Sequence, residues 1–211
     1  MSTTSTDPQV VDVAFPIRGE PLPLDHGYPL FAALSRLAPA IHAESSWGVH
    51  PVFGERKGRD QLRFLPRSSV KIRLPIGELS RVMSLAGASL EIDRARVELG
   101  FPRVFPLVPA PAIRARFVTI RGFQEDEAFV AAIVRQLGQL HEDGALGQEP
   151  ASVEVTLGKR RICVIHGKRV VGFALGLGAL GADASLAIQR RGLGGRRHMG
   201  GGIFVPPGVR G

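Results

Sequence analysis

Cysteine, tryptophan and tyrosine are scarce in this chain: its 211 residues include one of each. With Cys163 as the single cysteine, neither an intrachain disulfide nor a cysteine metal cluster can form. A long hydrophobic run is also missing, because the longest apolar stretch, residues 170–182, is too short to span a bilayer and is rich in glycine. The first residues have neither the basic nor the apolar region of a signal peptide. We therefore expect a cytoplasmic protein that does not associate with membranes.

Acidic residues are nearly absent from the last quarter of the chain. Residues 158–211 contain ten Lys and Arg but one acid, Asp183, whereas residues 1–157 contain 17 basic and 18 acidic residues. The net charge of +8 is therefore concentrated in the carboxy-terminal part. This distribution is typical of proteins that bind a phosphate backbone. A charged face that only increases solubility is the alternative.

The densest run of glycine, between residues 192 and 202, lies within this basic region. Glycine permits φ > 0 and close backbone approach, and successive N–H groups in such turns can form an anion-binding concavity. The spacing differs from that of a P-loop or a dinucleotide fingerprint. We therefore predict a loop that contacts the phosphates of a polyanion, together with two arginines that precede it. The predicted contact residues are Gly192, Gly194, Gly195, Arg196, Arg197, His198, Gly200, Gly201 and Gly202, with Arg190 and Arg191 before them.

Hydrophobic periodicity predicts the order strand–helix–strand–strand–helix–strand twice along the chain. The fold class expected from this order is α+β, with tandem ferredoxin-like (RRM-like) βαββαβ domains and a carboxy-terminal glycine-rich loop. A proline-rich connector at residues 100–112 separates a domain of residues 1–105 from one of residues 106–211. Asp25 is the predicted N-cap of the first helix. Further predicted elements are helices at 77–86 and 182–191 and strands at 47–53, 113–120, 153–157 and 161–165.

The glycine-rich loop resembles that of a known family, the CRISPR-associated endoribonucleases that cut repeat RNA into guide RNAs, in particular the form found in myxobacterial-type systems. The family pattern G-h-G-x5-G-h-G, in which h is apolar, fits Gly192-Leu193-Gly194 and Gly200-Gly201-Gly202 except that Gly201 replaces an apolar residue. Nearer the amino terminus, residues 24–31 and 39–42 are similar to the family's first helix and to the histidine that often closes it.

The resemblance implies a metal-independent transesterification, in which a 2′-OH attacks the scissile phosphate and leaves a 2′,3′-cyclic phosphate and a 5′-OH. It implies CRISPR repeat RNA and its mature form, crRNA, as partners, with other subunits of a Cas effector complex as further partners. No cofactor and no metal are expected. A non-catalytic RNA-binding subunit with the same fold is the alternative.

Such a reaction needs a general base and a general acid, and histidine suits both roles at neutral pH. The resemblance makes His26, at the start of the first helix, and His42, just after it, the candidate catalytic residues. For each, the alternative is a structural histidine at a helix end. The position of a catalytic tyrosine in archaeal-type members holds Ser35, so a His–Tyr–Lys triad is not preserved. His50 is a weaker candidate, predicted to lie half-buried in a strand.

Overall fold

Two large antiparallel sheets, one in each half of the chain, organise the computed structural model, which describes residues 9–208. The helices of the amino-terminal half are α1 (Gly27–Leu37), α2 (Ala40–Ala43) and a 3-10 helix at Ile76–Leu85. Its strands are β1 (Val10–Gly19), β2 (Leu22–Pro23), β3 (Gly48–Val49), β4 (Glu55–Lys57), β5 (Gln61–Arg63), β6 (Ser69–Pro75), β7 (Ser89–Ile92), β8 (Ala95–Leu99) and β9 (Arg103–Pro106).

The amino-terminal sheet has the order β3-β6-β1-β8-β7, and β9 also pairs with β1. Strands β2, β5 and β4 form a separate small sheet. We take β1, β3, β6 and β8 as the first to fourth strands of a βαββαβ unit. Across the sheet, the second strand is then followed by the third, the first and the fourth.

The carboxy-terminal half repeats that order. Its strands are β10 (Ile113–Val118), β11 (Glu154–Ile165), β12 (Lys168–Gly178) and β13 (Phe204–Val205), and its sheet order is β11-β12-β10-β13. Its helices are α3 (Asp126–Glu142) and α4 (Ala182–Arg191), with short 3-10 turns at Pro150–Ser152 and Arg197–Met199. The predicted fold class, tandem ferredoxin-like domains, is confirmed.

Each half has its own hydrophobic core. In β10, alternation buries Ile113 and Ala115 while Arg114 and Arg116 stay exposed, as expected for a sheet with one covered face. One cluster of buried apolar residues lies between positions 11 and 99 and the other between 113 and 204. The predicted division at 105/106 lies between these two clusters. It stays a prediction, because separate cores do not define a boundary residue and β9, which pairs with β1, extends to Pro106.

Four local predictions were wrong in detail. The helix expected at 77–86 is a 3-10 helix, because Leu79, Val82 and Leu85 face the core at intervals of three residues. Residues 154–165 form one strand with a register shift, not two strands. Only two residues of the strand expected at 47–53 pair as β3. His26, not Asp25, occupies the N-cap of α1, because the Asp25 carboxylate accepts the Val164 N–H at 2.6 Å.

None of the helices within residues 9–208 is both long enough and apolar enough to cross a membrane.

Candidate functional site

The glycine-rich loop (residues 192–202) lies where the two halves of the molecule meet. His198 Nε2 donates a hydrogen bond to the Glu44 carbonyl oxygen at 2.8 Å. A Cβ atom placed on Gly27, the first residue of α1, would lie 2.6 Å from the Met199 carbonyl oxygen. One placed on Gly200 would lie 2.9 Å from Pro51 Cγ. The loop therefore packs directly against the beginning of α1 and the segment that follows β3.

The glycine N–H groups of this loop are already engaged by protein acceptors. Gly194 donates to Gln136 Oε1 at 2.7 Å, and Gly195 donates to the Thr119 carbonyl at 2.9 Å. Gly192, Gly200, Gly201 and Gly202 donate to the carbonyls of Ile188, Arg197, Arg196 and Phe117. The interpretation of the loop as a concavity of open N–H groups was therefore wrong. These glycines permit the close backbone approach by which the loop packs on β10 and on itself.

The Gly202→Ala variant is expected to be markedly less stable than the Gly58→Ala variant. Both glycines have left-handed φ values, +64° and +66°, so alanine is strained by about 1 kcal/mol at either position. At Gly58 no atom of residues 9–208 lies within 4 Å of the added Cβ, whereas at Gly202 the Cβ would overlap the Leu193 carbonyl oxygen. Thermal unfolding of both variants measures the difference, and equal melting temperatures would contradict the tight approach.

The four arginines predicted to contact RNA have different surroundings. Arg197 turns inward: its Nη2 donates to the Arg190 carbonyl at 2.8 Å, at the end of α4, and burial lowers the pKa of its guanidinium to about 10. Arg191 forms an ion pair with Asp143 at 3.1 Å. Arg196 is exposed at the surface of the loop. The predicted RNA contact of Arg197 stays untested, while its surroundings are those of a structural residue, because the negative end of the helix dipole and the carbonyl both favour a cation there.

Two histidines contact the same aromatic ring, that of Phe31 in α1. The His198 ring stacks on Phe31 with centroids 5.4 Å apart and an interplanar angle of 6°. The His42 ring lies 5.7 Å from the Phe31 centroid. His42 is exposed, and His198 is half-buried with its Nε2–H bonded to Glu44. We name His42, Phe31 and His198 the histidine edge. It joins a residue of α2 to one of the glycine-rich loop.

His26, which immediately precedes α1, is buried, with 2% of its surface exposed. Its Nδ1 donates to the Pro23 carbonyl at 2.9 Å, and its Nε2 accepts the Val52 N–H at 2.9 Å. Burial lowers the pKa of the ring. With both nitrogens engaged, the neutral imidazole joins the start of α1 to the segment after β3, and neither nitrogen is left for a substrate. Its predicted catalytic role stays untested, while its surroundings are those of a structural histidine.

A buried ionic network lies behind the site, and it was missed in the sequence. The Asp12 carboxylate accepts from Arg73 Nε at 2.7 Å and from Arg73 Nη2 at 2.9 Å, and from His50 Nε2 at 3.1 Å. Burial opposes ionisation of Asp12, but the charges and hydrogen bonds of His50 and Arg73 outweigh it and hold the pKa of that carboxyl well below its usual range.

Arg73 extends this network from the amino-terminal half into the carboxy-terminal half. Its Nη1 donates to the carbonyls of Gln189 in α4 and Phe204 in β13, each at 2.8 Å. One signal was available in the sequence for Asp12, which interrupts the apolar run from Val10 to Phe15, whereas Arg73 alternates with apolar residues as a solvent-facing strand residue does. A charge within an apolar strand needs a partner when it is buried.

An interdomain cleft of about 540 Å³ lies on the outer face of the carboxy-terminal sheet. Arg114 and Arg116 of β10 and Arg161 of β11 line it, opposite Pro51 and Gly200. Among the described residues, no Asp or Glu lines this cleft. Its positive charge and its position beside the glycine-rich loop suit it to a polyanionic strand. Residues 9–208 contain no group of three or more His, Cys, Asp and Glu side chains arranged to hold a metal ion.

The structure defines a class of proteins with two ferredoxin-like sheets that meet at a glycine-rich loop, and comparison with known proteins identifies the family. Residues 11–208 match the family described as Cas6 Crispr. The chain is 45% identical, over 200 residues, to the CRISPR-associated endonuclease Cas6 of Myxococcus xanthus strain DK1622, with 94% of this chain and 82% of that protein covered. The chain therefore belongs to the Cas6 family.

Solved structures share the fold at low sequence identity. A Cas6-related protein of Pyrococcus furiosus is similar with a TM-score of 0.66 and 11% identity, over 96% of this chain and 100% of that one. Cse3 of Thermus thermophilus, bound to an RNA that represents a pre-cleavage complex, is similar with a TM-score of 0.54 and 16% identity, over 94% of this chain and 100% of that one.

Proposed function

We propose that this protein is an endoribonuclease that cleaves CRISPR repeat transcripts into guide RNAs. The observation that carries the proposal is the histidine edge, which exposes His42 at the point where the glycine-rich loop meets α1 in a member of the Cas6 family. The proposed reaction is attack of a ribose 2′-OH on the adjacent phosphate, which needs no metal and yields a 2′,3′-cyclic phosphate and a 5′-OH. With a transcript as the proposed substrate, the protein would act in the cytoplasm.

His42 is the residue we assign to acid–base catalysis. An imidazole can both accept and donate a proton in such a reaction, and within residues 9–208 no side-chain hydrogen bond restrains the exposed His42 ring. His198 donates through Nε2 to Glu44, so its Nδ1 is the nitrogen left for a substrate contact. His26 fixes the start of α1 through its two hydrogen bonds. The 2′-OH would lose its proton to one imidazole as the phosphate is attacked, and the leaving 5′ oxygen would receive one.

RNA would cross the histidine edge and continue along the basic surface of the carboxy-terminal domain. Arg196 lies exposed on the loop, and the arginines of the interdomain cleft offer further phosphate contacts. Guanidinium groups match phosphate oxygens in both charge and geometry. Retention of the cleaved guide RNA, and its transfer to other subunits of an effector complex, would follow from contacts that cleavage leaves intact.

A non-catalytic RNA-binding subunit is the second candidate, and the buried, fully bonded state of His26 favours it. Of the two histidines that match family positions, only His42 has a ring open to a substrate.

The pure protein is expected to cut the repeat RNA of its own genome at one position in the presence of EDTA. Because imidazoles supply the proton transfers, chelation of metal ions should leave the rate unchanged. The two RNA ends are mapped by sequencing, and the cyclic phosphate is identified by its resistance to a phosphomonoesterase until acid opens it. Specific binding without cleavage would support the second candidate instead.

A further inference from the structure

A second basic concavity, of about 390 Å³, adjoins the first part of the glycine-rich loop. Arg121 follows β10, Arg169 lies at the start of β12, and Arg196 belongs to the loop; all three line the concavity, as does Gln136 of α3. We call these four residues the arginine pocket. None of these residues belongs to the histidine edge. Of the four, Arg196 is the one that the sequence predicted to contact RNA.

The arginines of this pocket lack acidic partners. Arg18, Arg63, Arg81 and Arg191 each form an ion pair with Asp or Glu. By contrast, within residues 9–208 no ion pair engages Arg121, Arg169 or Arg196, and no acid lines the pocket. Three exposed guanidinium groups from three separate segments therefore face one concavity. Their mutual repulsion is relieved only by solvent and counterions, or by an anionic ligand.

Gln136 adds a donor whose orientation is fixed. Its Oε1 accepts the Gly194 N–H at 2.7 Å. Because a backbone N–H can only donate, the oxygen of the amide must face it, so the Nε2 group is the side that remains for a ligand. The three guanidinium groups and the Gln136 Nε2 group all donate, so together they favour an acceptor-rich anion. A phosphate group is the anion of that kind that RNA carries.

The backbone presents Arg196 to this pocket in an unusual conformation. Arg196 has a φ of +65°, in the left-handed region, which a non-glycine residue adopts at a cost of roughly 1–2 kcal/mol. Two hydrogen bonds maintain it, since the Arg196 carbonyl accepts the N–H groups of Met199 and Gly201, each at 2.9 Å. Strained residues of this kind concentrate at ligand sites.

We propose that the arginine pocket binds a phosphate group of the RNA, at a site separate from the histidine edge and the interdomain cleft. The proposal rests on the proposed function, because it takes RNA as the ligand. The volume is within the range of pockets that hold one nucleotide-sized group. The phosphate belongs either to an internal phosphodiester or to a 5′-terminal phosphate, which share the same chemistry.

The test compares the double variant Arg121→Gln/Arg169→Gln with a matched control, Arg59→Gln/Arg94→Gln. The control removes the same charge from exposed positions of the amino-terminal half. Affinity for single-stranded repeat RNA is measured by fluorescence anisotropy between about 50 and 200 mM salt. The slope of log K against log[salt] should decrease by about 0.7 for each phosphate that the protein no longer neutralises. We expect that decrease, with a reduction in affinity of roughly tenfold, in the pocket variant only.

A single substitution, Gln136→Glu, sharpens the test. Glutamate keeps an oxygen to accept the Gly194 N–H but replaces the amide donor by a negative charge facing the phosphate. We expect weaker RNA binding at an unchanged melting temperature. RNAs with a 5′-phosphate and with a 5′-OH distinguish the two sources: an equal loss of affinity for both indicates an internal phosphodiester, and a loss for the first alone indicates a terminal phosphate.

The proposal is overturned if the pocket variant shows the affinity and salt slope of the control with both RNAs. Cleavage of the same RNA by the native protein is measured in parallel. Absent cleavage with a selective loss of binding in the pocket variant would refute the proposed catalysis and leave the arginine pocket supported. Normal cleavage by the native protein, with no selective loss of RNA binding in the pocket variant, would refute phosphate binding by the arginine pocket and leave the proposed catalysis supported.

Discussion

The His42→Ala variant is expected to cleave repeat RNA about 10²- to 10⁴-fold more slowly than the native protein, the range that a positioned general acid or base contributes. The exposed His42 ring contacts Phe31, and alanine at this position breaks no hydrogen bond of its side chain within residues 9–208. The variant should therefore fold normally and bind RNA with nearly native affinity. Single-turnover cleavage with saturating protein in EDTA measures the rate, and anisotropy measures the binding.

Two comparison variants separate catalysis from structure. His141→Ala removes another exposed histidine, located at the end of α3, and should cleave at the native rate. His26→Ala removes a buried ring and two hydrogen bonds, so it should lower stability by about 2–4 kcal/mol. Its activity should recover at a temperature where the variant is folded. The assignment of His42 fails if His42→Ala cleaves like the native protein, and moves to His26 if a fully folded His26→Ala variant is inactive.

The Arg73→Met variant is expected to lose about 3–5 kcal/mol of unfolding free energy, as do other proteins in which one member of a buried ion pair is removed. Methionine fills much of the volume but leaves the Asp12 carboxylate without its bidentate partner. It also leaves the carbonyls of Gln189 and Phe204 without the guanidinium donor that joins the two halves. Denaturant unfolding followed by fluorescence of the single tryptophan, Trp47, measures the loss.

Arg18→Met is the matched control, because Arg18 also pairs with a carboxylate, that of Glu98, but the two side chains are 85% and 55% exposed. Exposed pairs contribute about 0–1 kcal/mol to the free energy of unfolding.

The pH dependence of the free energy of unfolding provides a second measurement. A carboxyl whose pKa is lowered by folding stabilises the protein above its unfolded pKa of about 3.9, and this stabilisation is lost as the pH falls. The difference between native and Arg73→Met should therefore shrink below about pH 4. Equal losses in the two variants would contradict a structural role for the network.

Predictions from local pattern succeeded where neighbours along the chain decide the structure. The helix expected at 182–191 has those bounds as α4, and the strand expected from Ile113 begins there as β10. The pattern at 77–86 predicted a helix, but the intervals of three residues between Leu79, Val82 and Leu85 give it the 3-10 geometry that the structure shows at Ile76–Leu85. For the candidate site, the pattern located the glycine-rich loop and the histidines near α1, but it could not assign their hydrogen bonds.

The amino-acid sequence by itself determined the element order, the concentration of positive charge in the last quarter and the position of the glycine-rich loop, because periodicity, charge and glycine content are local properties. The tertiary structure decided which polar groups bond within the protein and which remain available to a ligand. Arg73 reaches acceptors 116 and 131 positions away, and Glu44 accepts from a histidine 154 positions later. The fold also leaves His42 exposed, engages both nitrogens of His26, and turns Arg197 inward while Arg196 stays exposed. Whether a polar side chain is buried and bonded depends on residues that only the folded chain brings together.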